Sequence, residues 1–462
     1  MLFCEPIFFL FFSGYFFIHK VIPKNLVMFL VILGSLFFYG YWNPAYIPLP
    51  IALVIFTYWA GLKIEKTFNN QTRANLLSFF LVLLFCPLIF FKYLNFIIKN
   101  LSFFVSSLHN SNISITLPLG ISFITFTLAA YLIDIYRGKF PVERNFLALL
   151  SSVVFFPHLI AGPIVRPSQL LPQLKRWNST ANTKFKFGIL LFAVGLFKKL
   201  VFADSIAQFV NQAYSISASE LTIWSHLMAF YGFTLQIYCD FSGYTDMALG
   251  LSWLLGIRLP GNFNSPYASS SLIEFWRRWH ITLSSWLKDY LYIPLGGRAT
   301  SFLGQLKNVM ITMILGGLWH GANWTFVVWG MFHGIGIGLN HIYRKVTPQT
   351  KLPQIVSYFI TFHFVAIGWV FFRAPKLSQA ISILSGFNSK PWDLSLFPRE
   401  YFFGLLLFIV FIVTHRWDRH SIYRLFSKKL TTSIILAISI MLVIASLALK
   451  SGNSAEFIYF DF

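Results

Sequence analysis

Charge is what this chain has little of. Only 11% of its 462 residues are Asp, Glu, Lys or Arg, against 56% hydrophobic, whereas an average soluble domain carries about 25% charged residues. Too few polar side chains remain to cover a water-facing surface, so most of the outside must face lipid. Acidic residues are scarcer still, 15 against 36 Lys and Arg. Cysteine is nearly absent. Cys4, Cys86 and Cys239 stand in apolar surroundings at spacings that fit neither a metal site nor a disulfide framework, and are read as packing residues. Also missing are the short alternating segments of a transmembrane barrel, an internal repeat of the secondary-transporter kind, a Ser-His-Asp order, an HExxH pair and a Cys-His cluster. Hydrolase and zinc chemistry are therefore poorly supported, and no metal is expected. The opening Met1-Leu2-Phe3-Cys4-Glu5 has no basic n-region or small-residue cleavage site, which predicts a retained membrane element, not a removed signal peptide.

What is abundant is apolar sequence in long runs. Crossing about 30 Å of hydrocarbon takes roughly 20 apolar residues. Such runs lie at 24–42, 45–62, 76–98, 146–165, 187–210, 222–239, 304–320, 323–343, 355–372, 401–414 and 431–449, with shorter or broken pieces at 6–18, 119–136, 244–256 and 272–292. They predict an all-α polytopic membrane protein of about 11 transmembrane helices, plus re-entrant or interfacial helices. The longest polar stretches, near 166–186 and 373–400, are of connecting-loop length, so residues 1–462 are expected to form one membrane domain. A net charge of +21 suggests nucleic acid in a soluble protein. Here Lys and Arg gather between spans, at Arg137/Lys139/Arg144, Arg166 to Lys186, Arg277 to Lys307 and Arg416 to Lys429, as the positive-inside rule predicts. These stretches are placed on the cytoplasmic side, and no nucleic-acid partner is expected. A basic face also attracts a phosphorylated donor, although topology explains the charge equally well.

The character of the chain changes along its length. Up to about residue 115 the segments are plain Phe, Leu and Ile, and after about 355 that pattern resumes. Between about 117 and 343 the apolar segments carry polar groups, Gly and Pro, as in Leu117-Pro118-Leu119-Gly120 and Phe156-Pro157-His158-Leu159. Polar residues and broken helices are costly in a membrane, so the catalytic portion is expected there.

Three segments in or beside it can carry chemistry. In Tyr238-Cys239-Asp240-Phe241-Ser242-Gly243-Tyr244-Thr245-Asp246 the two carboxylates fit no calcium loop, and structural pairing is favoured over a cavity-lining role for Asp240. In Glu274-Phe275-Trp276-Arg277-Arg278-Trp279-His280, a continuous helix pairs Glu274 with Arg278 and puts Trp276 and His280 on one face. Its Trp, Tyr and Arg content suits an interfacial helix, but His280 adds nothing to anchoring, and Gly296-Gly297 beside Arg298 lets backbone approach a ligand phosphate. The strand-loop-helix setting of a P-loop is missing. In Gly316-Gly317-Leu318-Trp319-His320-Gly321-Ala322-Asn323 a histidine ends an apolar run between glycines that permit close backbone or substrate approach. Such a histidine is a functional candidate and can act as general base near neutral pH. His333 would face largely away from His320 on one continuous helix. His158, in a Pro-broken segment, is a cavity-lining candidate. His19, His109, His226, His341, His363, His415 and His420 are read as structural.

The run Trp276-Arg277-Arg278-Trp279-His280 through Asp289-Tyr290-Leu291-Tyr292-Ile293-Pro294-Leu295-Gly296-Gly297, followed by Gly317-Leu318-Trp319-His320-Gly321, resembles the membrane-bound O-acyltransferase family, in its bacterial alginate and peptidoglycan O-acetyltransferase branch. Gly195-Leu196-Phe197-Lys198-Lys199 and the ending Glu456-Phe457-Ile458-Tyr459-Phe460-Asp461-Phe462 add to the likeness, which covers the chain in order. The resemblance implies helices ringed around a central catalytic tunnel in a multi-pass protein of the bacterial inner membrane. It implies His320 as the essential histidine and His280 as the second histidine of the same cavity. It implies acetyl-CoA as the cytoplasmic thioester donor with no tightly bound cofactor, a separate periplasmic transferase as partner, and an envelope polysaccharide as acceptor.

On this reading His320 deprotonates an acceptor hydroxyl, and Asn323, Trp319 and His280 are the expected oxyanion donors. Trp276, Trp279, Asp289, Tyr292, Asp240 and His158 are the other expected cavity residues. D-alanyl transfer to teichoic acid from a carrier protein is the nearest competitor; a transporter or flippase for lipid-linked saccharides, or an assembly subunit, is the other. Alginate, peptidoglycan and cellulose-like acceptors are all compatible, with a slight lean to peptidoglycan because no extra domain is appended. Asp461 stands where the resemblance leads one to expect Gln.

Overall fold

A computed structural model of the chain describes residues 1–102, 104–105, 113–177, 184–217, 220–298, 301–346, 352–389, 392–393, 395, 397–450 and 457–460. Asp461 and His109 lie outside the described residues. Within them the structure is helical, with no strand, as a backbone without water partners requires. By Cα proximity the chain divides into two compact units. The first is Met1–Ile189 with Ala248–Pro260, and the second is Leu190–Met247 with Gly261–Phe462.

The first unit holds the apolar helices Val27–Gly40 and Pro48–Lys66 and the more polar Ile121–Tyr136 and Phe146–Val154, which bury Thr125, Asp134 and Ser151 among others. Phe8, Phe38 and Phe156 meet ring to ring at 5.4–6.3 Å. The apolar run at 146–165 is not one helix. It breaks at Phe155, and a single turn Phe156–Leu159 follows.

Gly195 of Phe185–Phe197 meets Gly243 of Phe233–Leu254 in the stretches of these helices that belong to the second unit. A Cβ at Gly195 would lie 2.5 Å from the Gly243 carbonyl oxygen, and one at Gly243 would lie 2.7 Å from that of Gly195. Only glycine allows this approach. Immediately after it the π-helical turn Lys198–Ala203 swings two lysines inward. Similar turns at Met228–Gly232 and Lys288–Tyr292 interrupt other helices of this unit.

Those interruptions change the span count. Among the described residues three helices are long and apolar enough to cross a membrane, Pro44–Lys66, Asn70–Leu101 and Gln354–Arg373. A fourth counts if the pair Tyr401–Trp417 and His420–Lys429, bent by 75°, is one broken span. The expected 11 or so is not reached. Several apolar runs are split by breaks or π turns, and others form helices of 10–17 residues, such as Thr432–Ala448. Large apolar side chains nonetheless face outward, Leu10, Phe17 and Ile355 among them.

Candidate active site

Both sequence-predicted histidines lie in the second unit, and a helix break delivers each. His320 is the last residue of Phe302–His320, Gly321 turns extended, and Trp324–Val346 returns beside it. A Cβ at Gly317 would come 2.2 Å from the Phe326 carbonyl oxygen, and one at Gly330 would come 2.4 Å from that of Met313. The glycine next to this motif therefore serves helix–helix approach, where the sequence left substrate access equally open. His280 follows Leu272–Arg278. Trp279 is extended, His280 takes φ 41 and ψ 53, and Ile281–Leu287 begins after it. The chain thus leaves the helix between Trp276 and His280, and the expected shared face does not form. The Glu274–Arg278 ion pair does, at 2.6 Å.

The two imidazoles are buried and share neighbours. Trp319 lies 6.1 Å from His280 and 5.0 Å from His320, ring centre to ring centre, and Tyr459 lies 6.3 and 5.6 Å away. Phe241 closes on His280 at 4.7 Å, while Trp329 and Phe372 close on His320 at 5.2 and 5.0 Å. Two histidines around one indole and one phenol, shielded from bulk water, make a setting in which a proton can move between a hydroxyl and an imidazole.

Asp240 supports this arrangement. Its carboxylate pairs with Lys199 at 2.6 Å, and Lys199 pairs with Asp204 at 2.8 Å. The other Asp240 oxygen accepts the Ile458 backbone N–H at 2.8 Å, tying down the segment that carries Tyr459. Lys198 makes a parallel cluster with Asp246 and Asp418, both at 2.7 Å, and His420 reaches Asp246 at 2.7 Å. The favoured reading of the two carboxylates as ion-pair partners is what the structure has.

The remaining predicted residues scatter. Trp276 donates its indole N–H to His333 Nδ1 at 3.3 Å and packs on Trp329 at 5.7 Å. His333 lies 4.9 Å from Trp329, so one indole separates it from His320. The argument that the two histidines face apart assumed one continuous helix, and the break at Gly321 removes that premise. Trp279 belongs to an aromatic cluster with Trp369 at 4.7 Å and Phe263 at 5.1 Å. Asn323 commits its amide N–H to the Pro375 carbonyl and its oxygen to the Thr325 N–H, holding the connection after His320. His158 lies in the first unit with Nε2 3.0 Å from the Ser152 carbonyl oxygen. Asp289 stands 3.7 Å from Lys288.

A cavity of about 760 Å³ opens in the same unit. Arg277, Lys288 and Arg298 supply positive charge to its wall, Gly296, Gly297, Tyr292 and Trp276 line it, and His341 joins from Trp324–Val346. Trp276 therefore touches the cavity and also Trp329, which meets His320 edge to face. His341 was read from the sequence as structural, and it lines this cavity. Trp329 and Phe372 were not picked out, since they sit among apolar residues where nothing marks them. Tyr459 was visible only within the closing motif.

The sequence profile described as MBOAT, membrane-bound O-acyltransferase family, matches residues 142–372. The chain is 39% identical over 404 residues to the peptidoglycan O-acetyltransferase of Helicobacter pylori, covering 81% of this chain and 76% of that one. It is 39% identical over 390 residues to a protein of Azotobacter vinelandii named "Probable alginate O-acetylase AlgI", covering 83% and 77%. The teichoic acid D-alanyltransferase of Bacillus subtilis is 28% identical over 341 residues, covering 70% and 84%. With this fold and this buried pair of histidines, the chain belongs to the membrane-bound O-acyltransferase family. It is an O-acyltransferase.

Proposed function

We propose that this protein takes acetyl from acetyl-CoA at the cytoplasmic face of the bacterial inner membrane and passes it toward an envelope polysaccharide. The observation that carries this reading is the meeting of His280 and His320 on Trp319 and Tyr459, backed through Trp329 and Trp276 by a basic cavity. A volume of about 760 Å³ lies within the usual range for small-molecule sites, about 300–1,000 Å³. Arg277, Lys288 and Arg298 suit the phosphates of a nucleotide-bearing thioester. These residues fall in a basic stretch read as cytoplasmic from the positive-inside rule.

In this mechanism His320 removes the proton from an acceptor hydroxyl, whose oxygen attacks the thioester carbonyl. Trp319 donates to the oxyanion that develops, the C–S bond breaks, and His320 returns the proton to the departing thiolate. General base catalysis of this kind contributes about 10²–10⁴ in rate. The relatives named for peptidoglycan and alginate acetylation support an envelope polysaccharide as final acceptor; a separate periplasmic transferase completes the delivery in this proposal. The Bacillus subtilis relative keeps a second reading alive, D-alanyl transfer from a carrier-protein thioester.

The test is label transfer from radioactive acetyl-CoA by purified protein in liposomes, with the native chain compared to His320→Ala. Loss of label from the donor that vanishes in the mutant supports the proposal. Equal turnover in both proteins removes His320 from the chemistry. Turnover only with an alanyl carrier-protein thioester selects the second reading.

A further inference from the structure

His280 is held in a left-handed backbone conformation that a side-chain-bearing residue adopts at a cost of about 1–3 kcal/mol. One residue makes four hydrogen-bond contacts around it. The Asn262 backbone carbonyl accepts the Ile281 N–H at 2.9 Å. Its side-chain Oδ1 accepts both the backbone N–H and the hydroxyl of Thr282, at 3.1 and 2.9 Å. The same Oδ1 lies 3.2 Å from His280 Nδ1. Asn262, His280 and Thr282 are all buried.

These contacts determine a proton position. The Thr282 N–H can only donate, so the Asn262 atom facing it is the amide oxygen, and the usual ambiguity between amide oxygen and nitrogen is resolved. An amide oxygen can only accept, so the bond from His280 requires hydrogen on Nδ1. In the neutral ring Nε2 then carries the lone pair. Nε2 is fully buried and has no hydrogen-bond partner among the described residues. The rings nearest this imidazole include those of Phe241, Trp319 and Tyr459.

We infer that Asn262 is a positioning residue that locks His280 in its Nδ1–H tautomer and presents Nε2 to the substrate as a hydrogen-bond acceptor. The inference rests on the proposed acyl transfer at the His280–His320 site. It removes neutral His280 from the expected oxyanion donors, because a bare Nε2 has nothing to donate. Its role is to accept from a substrate N–H or O–H other than the reacting hydroxyl, whose single proton goes to His320.

The experiment uses the full chain in liposomes with acetyl-CoA as donor. Asn262→Ala is expected to lower kcat about 10–100-fold, the usual effect of removing a group that orients a reactive histidine, with the donor KM held within about twofold. Asn262→Asp keeps the acceptor atom and adds charge beside the imidazole. It should recover most of kcat and move the acidic limb of the pH profile upward, since a neighbouring carboxylate favours the protonated ring. Unchanged kcat in Asn262→Ala overturns the inference, as does an Asn262→Asp variant no better than Asn262→Ala with an unmoved limb. A second measurement needs no turnover. In ¹⁵N-histidine-labelled native protein, with the His280 signals assigned by their loss in His280→Gln, a protonated Nδ1 and bare Nε2 are expected. A protonated Nε2 on neutral His280 overturns the inference even in an active enzyme. The expected tautomer in a protein that transfers no acyl group overturns the proposed function and leaves the tautomer assignment standing.

Discussion

In the first unit the buried rings are largely phenylalanines resting on one another, as Phe8, Phe38 and Phe156 do. In the second the buried rings include His280, His320, His333 and His415, and the core also takes in Lys198, Lys199, Asp204, Asp240 and Asp246. Burying ions is expensive, and an apolar core of the same volume is often as stable or more so. The first unit buries fewer such groups, Asp134 and Glu143 with His19 and His158, and the denser cluster of the second is retained for a reason besides stability. Here the reason is visible in the contacts. Asp240, held by Lys199, fixes the segment bearing Tyr459 against the two histidines. Charge in the second unit holds the candidate site together, while rings resting on rings hold Phe8, Phe38 and Phe156 in the first.

That contrast can be broken by experiment. The largest effect is expected from Lys199→Met, which leaves Asp204 and Asp240 buried without their cation. A loss of about 3–5 kcal/mol should appear as a sharply lowered unfolding temperature or absent expression, and a thermal profile like the native one would show the cluster to be dispensable. Gly243→Ala comes next. Its Cβ would press on the Gly195 carbonyl oxygen, and overpacking of this kind costs about 1–3 kcal/mol, read by denaturation in detergent. A Cβ at Gly14 in the first unit would meet nothing within 4 Å beyond its own helix backbone, so Gly14→Ala should be neutral or stabilising by up to about 1 kcal/mol.

Smaller and more selective is Arg277→Ala at the basic cavity. The donor KM should rise about tenfold, or about 1.4 kcal/mol, with kcat nearly unchanged; a fall in kcat alone would place Arg277 elsewhere in the mechanism. The smallest effect is expected at the first unit's exposed Arg144–Glu65 pair, 2.9 Å apart. Glu65→Gln should shift stability by less than about 1 kcal/mol, and a larger loss would show that ionic contacts matter as much there.

Much of the site was legible as local sequence. Gly-Leu-Trp-His-Gly around residue 320 and Trp-Arg-Arg-Trp-His up to 280 stand out because membrane helices rarely carry histidine beside glycine or paired arginines. The Glu274–Arg278 pair follows from helical spacing alone. What misled was the assumption that apolar runs are continuous helices. On that assumption Trp276 shares a face with His280, His333 faces away from His320, and the spans number about 11. Breaks at Trp279 and Gly321 undo the first two, while the count of about 11 is not confirmed, three or four long apolar helices standing among the described residues; no periodicity announces such breaks in advance.

By itself the sequence determined the class of the protein. Scarce charge and long apolar runs dictate a helical, lipid-facing chain, since backbone in hydrocarbon must bond to itself. Its motifs also singled out the two histidines as candidates, because their residue types and neighbours are local properties. Only the tertiary structure decided who stands beside them. Asn262 precedes His280 by 18 positions, Trp329 and Phe372 come from two further helices, and Tyr459 comes from the end of the chain. Such neighbours are chosen by the packing of elements far apart in sequence, where no local propensity operates. The tautomer of His280 is a property of that packing too, set by an amide oxygen that the chain brings back from a separate segment.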